Sequence, residues 1–390
     1  MAIKKFSFVD QAGGWTLNET TFGDFNLLVG VSGVGKSKIL QALSSIKWAG
    51  LLNASQVAGC KWSLELQIQG GATYHWRAQT SSLSTEMLHS VFYDTNGNHN
   101  QLSRYLEEHL IKDDGQVLIQ RKDDQFVFQN KLLPKLKAEE SAISLLANEP
   151  SIAPFHKALQ RILFTEARYP TPVEYDVVRL ENLRQQLDSY TKLQSATSVP
   201  LLARAFVLQK DYPEMFQRII NRYQDIFEKV EDVKVDRLSE LKSTAIMSNQ
   251  RVDQEQLAIG VKEHGVSGWI VSPVLSHGMF QTLILLIELE LAPAETIFLI
   301  DEIENGLGVN CLPQLMDQFL VRSRDLQFII TSHHPYVINN IPTEYWKIVT
   351  RQGSTVSVMS ANAVPELQTK SAHEKFILLL NSQAYEEGIR

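Results

Sequence analysis

Alternation of apolar and polar positions predicts the first strands of this chain. Ile3 to Val9 alternates in this way, and so does the stretch from Trp62 to Trp76, with a turn at Gly70-Gly71. Both segments are therefore expected to be half-buried antiparallel strands. Val117 to Phe128 has a similar pattern.

Shorter apolar runs without polar interruptions predict a second kind of strand. They are Asn26 to Val29, Thr296 to Ile300 and Gln327 to Ile330. Strands buried on both faces have this pattern, which is typical of parallel sheets covered by helices. Ser37 to Trp48, after the first run, has the spacing of a helix. Alternating strands and helices favour a partly parallel α/β core.

From about Glu139 the pattern becomes helical. Two sets of leucine and isoleucine residues share helical faces: Leu159, Ile162 and Leu163, then Leu180, Leu183 and Leu187. Prolines such as Pro200 and Pro213 divide the region, so residues 176–237 are expected to form a compact helical insertion and not one long coiled coil. Leu257 to Val261 is expected to return to a strand.

Composition narrows the class of protein. The chain has 390 residues, and 44% of them are hydrophobic. Its formal net charge is -7, so general electrostatic attraction to nucleic acid is not indicated. Cys60 and Cys311 are the only cysteines and lack companions at metal-ligand spacing. The N-terminus has no apolar signal segment, and the run Leu283 to Leu291 is too short to span a bilayer. We expect a soluble cytoplasmic protein with no membrane partner.

Residues 30–37 read Gly-Val-Ser-Gly-Val-Gly-Lys-Ser and fit the phosphate-binding P-loop pattern. A strand precedes them and a helix follows, which is the required context; the alternative is a chance glycine-rich turn. Backbone N–H groups of such a loop surround a phosphate, the lysine reaches the β- and γ-phosphates, and the serine ligates Mg²⁺. The residues expected to bind nucleotide are Gly30, Ser32, Gly33, Gly35, Lys36 and Ser37.

Two acids follow the apolar strand that ends at Ile300. Asp301 is expected to hold the Mg²⁺ shell, and Glu302 to act as the general base that activates water. Acids after a strand are also common as helix caps. Together with the P-loop, the pair indicates a nucleotide hydrolase.

Two further segments are candidates for phosphate contacts. Ser276 and Gly278 stand at the start of a predicted helix, where a hydroxyl and a backbone N–H can bind an anion, although an ordinary serine N-cap is the alternative. His333 follows the strand ending at Ile330 and could touch the γ-phosphate, although a lone histidine there is more often structural.

In order, these motifs resemble the ATP-binding-cassette ATPase head, and most closely the branch with SMC, RecF and OLD-type ATPases. The string from Phe298 to Leu307 is similar to the Walker B and D-loop of OLD- and RecF-like ATPases, and Thr331 to Pro335 resembles their histidine-switch segment. The resemblance implies an α/β fold with mixed antiparallel and parallel sheets, flanking helices and an inserted helical subdomain. It implies a P-loop lobe over 1–165, the helical insertion over 166–255, and a lobe over 256–390 with the signature, Walker B and histidine switch.

The resemblance also implies roles for site residues. ATP and Mg²⁺ would be the ligands, Glu302 and His333, and not His334, would be catalytic, and Ser37 and Asp301 would hold the metal. Ser276 and Gly278 would complete the site of a second subunit, which implies a homodimer or higher homo-oligomer. The segment Leu275 to Gln281, which corresponds to the family's signature, has His277 and Met279 where the transporters carry Gly and Gln. Gly308 occupies the D-loop position where the wider class often has Asp or His.

Less specific features remain open in the sequence. Gln120 and Gln125 are weak candidates for a Q-loop. Trp15 could stack on adenine, although a buried hairpin tryptophan is the alternative.

Two functions compete. The first is an ATP-driven switch in anti-phage defence or genome maintenance. Because the stretch after Pro335 is too short for a nuclease domain, the effector, a nuclease or toxin, would be a separate protein.

The second is a RecF-like repair ATPase that binds DNA. It would use the cations of the insertion, which are Lys210, Arg218, Arg222, Lys229, Lys234 and Arg237. Acids are interspersed among them, so a solvated face of mixed charge is the alternative. A transporter ATPase is disfavoured by the signature, and a GTPase by the lack of an Asn-Lys-x-Asp motif.

Overall fold

The computed structural model describes residues 1–68, 70–82, 103–122, 125–165, 174–241, 255–272, 274–308, 310–364 and 367. The chain forms two compact units. We call the first the sheet unit; it comprises Met1–Thr165, Glu295–Ile303 and Phe319–Arg390. The second, the helical unit, comprises Glu166–Ala294 and Glu304–Gln318. The resemblance implied three parts, over residues 1–165, 166–255 and 256–390. In the structure, residues 256–294 group with the helical insertion.

The strands in chain order are β1 Ala2–Asp10, β2 Trp15–Thr21, β3 Phe25–Val29, β4 Cys60–Gln67, β5 Thr73–Thr80, β6 Tyr105–Lys112, β7 Val117–Lys122, β8 Gln125–Phe128, β9 Lys131–Leu133, β10 Ile162–Thr165, β11 Val230–Arg237, β12 Leu257–Glu263, β13 Ile270–Val271, β14 Ile297–Ile300, β15 Gln327–Thr331, β16 Trp346–Gln352 and β17 Thr355–Ser360. The α-helices are α1 Lys36–Leu51, α2 Ala142–Leu145, α3 Ala153–Gln160, α4 Val177–Gln186, α5 Tyr190–Ser195, α6 Leu201–Asp211, α7 Pro213–Ile226, α8 Leu238–Leu241, α9 His277–Leu291, α10 Leu312–Arg322 and α11 Pro335–Asn340. Short 3₁₀ turns lie at Ala54–Val57, Thr343–Tyr345 and Ala361–Ala363.

The sheet unit is built on one mixed sheet. Over the described residues its strand order is β10-β14-β15-β3-β16-β17-β2-β1-β4-β5-β6-β7-β8-β9. Neighbours from β10 to β16 are parallel, and those from β2 to β9 are antiparallel. The α/β class predicted from the sequence, with mixed parallel and antiparallel strands, is therefore confirmed.

The parallel strands place the candidate motifs at one edge. The carboxyl end of β3 leads into the P-loop, that of β14 into Asp301, and that of β15 into His333. Strands β14 and β15 are held together by aromatic packing, with the rings of Phe298 and Phe328 stacked at a centroid distance of 5.4 Å. In an α/β sheet, the carboxyl ends of the parallel strands are where ligands bind.

Two predictions about the middle of the chain are wrong. Leu159 lies in α3, whereas Ile162 and Leu163 begin β10, which pairs with β14 in parallel. An apolar run this short has the same appearance in a buried strand and in a helix, so periodicity alone misassigned it. The predicted helical insertion ends in a strand, β11, which pairs with β12; three valines stabilise it there.

The helical unit contains α4 to α9 and a sheet of order β11-β12-β13 over its described residues. Helix α9 is buried along most of its length, which explains why its sequence is apolar on nearly every side. No helix in the described ranges combines the length and apolar character that crossing a membrane requires.

Candidate functional site

The P-loop connects β3 to α1 and depends on glycine. Gly35 is the N-cap of α1 and has φ of 105°, in the left-handed region where residues with a Cβ are strained. A Cβ at this position would also lie 3.1 Å from Val356 Cγ2. The first N–H groups of α1 have no partners within the helix and carry its positive dipole end. This is the arrangement that binds a phosphate.

Lys36 is folded back onto the loop. Its ammonium donates to the carbonyl oxygens of Gly30 at 2.7 Å and Val31 at 3.1 Å, and the residue is 4% exposed. Its Nζ also lies 3.4 Å from His333 Nδ1. An ammonium has three donors on a flexible stem, so it can exchange these neutral acceptors for an anionic phosphate.

Asp301 lies where a divalent cation would be held. Ser37 Oγ donates to Asp301 Oδ1 at 2.9 Å, and Thr331 Oγ1 donates to the same oxygen at 2.6 Å. A hydroxyl and a carboxylate offer the hard oxygen ligands that Mg²⁺ prefers, and Mg²⁺ usually keeps several waters. The described residues contain no group of three or more His, Cys, Asp and Glu side chains that could enclose a metal. The hydroxyl of Ser37 and the carboxylate of Asp301 fit an Mg²⁺ whose remaining ligands are waters or phosphate oxygens.

Glu302 has an unusual backbone. Its φ is 46°, although it is not glycine. Its N–H donates to Thr331 Oγ1 at 2.7 Å, and its Oε1 lies 4.0 Å from His333 Nε2. Strained backbone of this kind persists where the surroundings hold it, and it clusters at functional sites.

This strained backbone predicts that, at residue 302, a glycine variant is more stable than an alanine variant, which is the reverse of their order in regular structure. Glycine in regular structure is less stable than alanine, but at a left-handed position the alanine Cβ costs about 1–2 kcal/mol. We expect Glu302→Gly to be more stable to unfolding than Glu302→Ala by roughly 1 kcal/mol. Urea unfolding of the two variants measures the difference. An alanine variant as stable as the glycine variant would contradict a left-handed Glu302.

One cavity of the sheet unit joins these groups. Its volume is about 290 Å³. The residues lining it are Trp15, Ser32, Gly33, Val34, Gly35, Lys36, Ser37, Lys38, Glu302, His333 and Arg351. The structure thus brings P-loop residues 32–37, Glu302 and His333 together, while Gly30 contacts them through its carbonyl bond with Lys36. Asp301 joins them through its bond with Ser37.

Three lining residues were missed or left open by sequence reasoning. Trp15 is buried and also lines the cavity, so its two interpretations are compatible; Lys38 Nζ lies 5.9 Å from the centre of its ring. Arg351 donates through Nη1 to the Gly33 carbonyl at 3.4 Å. No local motif identifies Arg351, because the pairing of β16 with β3 brings it to the loop.

The remaining candidates lie elsewhere. Gln120 and Gln125 are on β7 and β8, far along the sheet order from β3, and neither lines the cavity. Ser276 and Gly278 belong to the helical unit.

Ser276 is the N-cap of α9, where its Oγ accepts a hydrogen bond from Met279 N at 3.3 Å. Gly278 packs closely on the loop around Gly308, since a Cβ at residue 278 would lie 3.2 Å from Gly308 N. Ser276 therefore caps the helix, as in the alternative that treats it as an ordinary serine N-cap. The start of α9 and the loop that follows the acid pair along the chain pack together.

Comparisons with solved structures give distant likenesses. The Smc head bound to the C-winged helix domain of ScpA is 12% identical, with 92% of this chain and 97% of that chain covered and a TM-score of 0.46. A Pyrococcus furiosus Smc head domain with an extended coiled coil, bound to the C-terminal domain of ScpA, is 13% identical, with 92% and 95% covered and a TM-score of 0.42. The SMC head domain from Thermotoga maritima is 13% identical, with 92% and 99% covered and a TM-score of 0.39. No curated protein matches the chain.

A family model gives the assignment. It is described as "AAA domain, putative AbiEii toxin, Type IV TA system", and it matches residues 25–339. The matched segment runs from β3 past His333 and includes the P-loop, Ser276, Gly278, Asp301 and Glu302. It covers well over half of the chain, and it confirms the ATPase resemblance drawn from the motifs. The chain belongs to this AAA-domain ATPase family.

Proposed function

We propose that this protein binds ATP with Mg²⁺, hydrolyses it, and uses the cycle as a switch between separate and closed pairs of subunits. The observation that carries the proposal is the single cavity in which Lys36, Ser37, Glu302 and His333 meet at the edge of parallel strands. Phosphoryl transfer to water requires a loop that binds the phosphates, a pair of acids and a polar group beside them.

Each residue has a defined task in the proposed reaction. Lys36 leaves the carbonyls of the loop and binds the β- and γ-phosphates, while Ser37 and Asp301 would hold Mg²⁺, which would neutralise charge on those phosphates. Glu302 accepts a proton from water as the water oxygen bonds to the γ-phosphorus and the bond to the β-bridging oxygen breaks. In this proposal His333, whose Nε2 lies 4.0 Å from Glu302 Oε1, donates a hydrogen bond to the γ-phosphate.

A dimer completes the proposed site. Ser276 is the N-cap of α9, and Ser276 and Gly278 together have the features of a helix start that binds phosphate. In the proposed assembly each subunit contributes its helix start to the nucleotide held by the other. A two-fold interface makes both contributions at once, so the minimum assembly is a homodimer.

Ser276→Arg tests this assembly. We expect the variant to bind ATP as a monomer but to lose ATP-dependent dimerisation and most of its turnover, because a long cation replaces a small hydroxyl at the interface. Mass photometry in a Glu302→Gln background, which should trap the ATP state, measures the dimer.

Ser189→Arg is the matched control, since Ser189 is also an N-cap serine of the helical unit, with its Oγ accepting from Lys192 N. It should leave the dimer intact. Loss of the dimer in both variants, or normal turnover by Ser276→Arg, would remove the shared-site homodimer from the proposal and leave ATP hydrolysis by another assembly.

The biological role proposed is control of a separate effector in anti-phage defence within the cytoplasm. Support comes from the family description, which names a putative AbiEii toxin and a type IV toxin–antitoxin system. The effector would be a nuclease or toxin encoded nearby. Phage plating on cells that carry the chain with and without its neighbouring gene tests the role. Protection should need both genes and an intact Lys36, and protection by Lys36→Ala would contradict it.

A DNA-binding repair ATPase remains the second candidate, and the charges of the helical unit weigh against it. Four of the six candidate cations are in ion pairs: Lys210 and Lys234 with Asp236, Arg222 with Glu290, and Arg237 with Glu255. Cations paired in this way carry less net positive charge to a phosphate backbone. Salt-dependent DNA binding by the purified protein would favour this candidate instead.

A further inference from the structure

Thr331 forms hydrogen bonds with three consecutive residues, Asp301, Glu302 and Ile303. It is the last residue of β15 and is 1% exposed. Its Oγ1 donates to Asp301 Oδ1 at 2.6 Å and accepts from Glu302 N at 2.7 Å, and its carbonyl accepts from Ile303 N at 3.1 Å. One buried hydroxyl therefore links the backbone of Glu302 to the carboxylate of Asp301.

These bonds act on the two groups with the strictest geometric requirements. The Glu302 backbone is left-handed, and its N–H would lose its partner in the structure without the Thr331 hydroxyl. Asp301 Oδ1 receives two hydroxyl donors, from Ser37 and Thr331. If Ser37 were to ligate a metal, the Thr331 hydroxyl would still donate to Oδ1 and would keep the orientation of the carboxylate.

We propose that Thr331 is a positioning residue for ATP hydrolysis: it fixes the Asp301 carboxylate and the turn that carries Glu302. The inference rests on the proposed function for its catalytic consequence. Thr331 does not line the cavity, so it acts through these two acids and not on the nucleotide. Partners that orient the ligands of a metal typically matter by about 10–100-fold in activity or metal affinity when they are removed.

A different role is packing alone, because Thr331 is buried and pairs with Leu28 of β3. Two substitutions separate the roles. Thr331→Val keeps the shape and the branched Cβ but removes the hydroxyl, whereas Thr331→Ser keeps the hydroxyl and removes the methyl. If packing alone matters, serine is the more damaging change; if positioning matters, valine is.

Steady-state kinetics of the purified full chain is the first test. For Thr331→Val we expect kcat to fall by about 10–100-fold and the Mg²⁺ concentration for half-maximal rate to rise, while the KM for ATP changes by less than about threefold. Thr331→Ser should recover most of the rate. Wild-type kcat and Mg²⁺ dependence in Thr331→Val, or a serine variant as slow as the valine variant, would overturn the inference.

Amide hydrogen exchange of the protein without nucleotide is the second test, and it does not depend on ATPase activity. The peptide containing Glu302 should exchange faster in Thr331→Val and at the wild-type rate in Thr331→Ser, because only the hydroxyl accepts from that N–H. Unchanged exchange in Thr331→Val would overturn the positioning role. If the two variants show this exchange pattern but the wild-type protein neither binds nor hydrolyses ATP, the positioning role stands and only the proposed function is contradicted.

Discussion

Replacing Lys36 with alanine is expected to weaken ATP binding by about 100-fold or more, which corresponds to roughly 3 kcal/mol for lost charge-assisted hydrogen bonds. The ammonium sits beside the loop carbonyls of Gly30 and Val31, within reach of any phosphate that the loop surrounds. Alanine leaves the backbone N–H groups in place but removes the charge. Isothermal titration with ATP and Mg²⁺ measures the effect.

Lys137→Ala is the control, because this lysine is on the surface with 72% of its side chain exposed. It should bind ATP as the wild-type protein does. Thermal unfolding should show that Lys36→Ala is folded, so that a loss of ATP binding reports on the lost ammonium. An unchanged ATP affinity in Lys36→Ala would show that residues 30–37 are not a phosphate-binding loop.

Glu302→Gln is expected to keep ATP binding and to lower turnover by about 100- to 10,000-fold, the range typical of a lost general base. The amide has nearly the same shape as the carboxylate but cannot take the proton from water. The left-handed backbone and its bond to Thr331 should be retained, so a structural cause is excluded by design. Single-turnover hydrolysis and ATP titration measure the two effects separately.

Glu344→Gln removes an exposed carboxylate far along the chain from the acid pair and should hydrolyse ATP normally. Turnover by Glu302→Gln at the wild-type rate would mean that another group activates the water. His333 would then be the next residue to replace, since its ring lies beside both Lys36 and Glu302.

Much of the site was predictable because its chemistry is local in sequence. The P-loop needs glycines, a lysine and a serine at fixed spacing between a strand and a helix, and all of these are consecutive in residues 30–37. Asp301 and Glu302 follow an apolar strand directly. In sequence, the order of these motifs carried the resemblance to ATP-binding-cassette ATPases, and in the structure the carboxyl ends of β3, β14 and β15 lie at one edge of the sheet.

Other features depend on pairing between distant parts of the chain. Thr331 reaches Asp301 because β14 and β15 pair with Ile300 opposite Ile330, and Arg351 reaches the P-loop because β16 lies beside β3. Neither register can be read from a local pattern. The left-handed backbone of Glu302 is also invisible in the sequence, because no glycine or asparagine marks it.

The errors have the same origin. Ile162 and Leu163 were assigned to a helix because three apolar residues fit either a helical face or a buried strand. The parallel pairing of Ile162 and Leu163 with β14 shows that they belong to a strand. Strand β11 closes the predicted helical insertion for a similar reason, since its partner β12 lies outside that insertion.

The rate of phosphate release from ATP by the purified wild-type chain tests the central claim most directly. The account predicts steady turnover that requires Mg²⁺, stops on chelation, and is absent from Lys36→Ala and Glu302→Gln prepared in the same way. Turnover that persists in both variants would show that the activity comes from elsewhere. A wild-type protein that is folded and binds no ATP would contradict the account altogether.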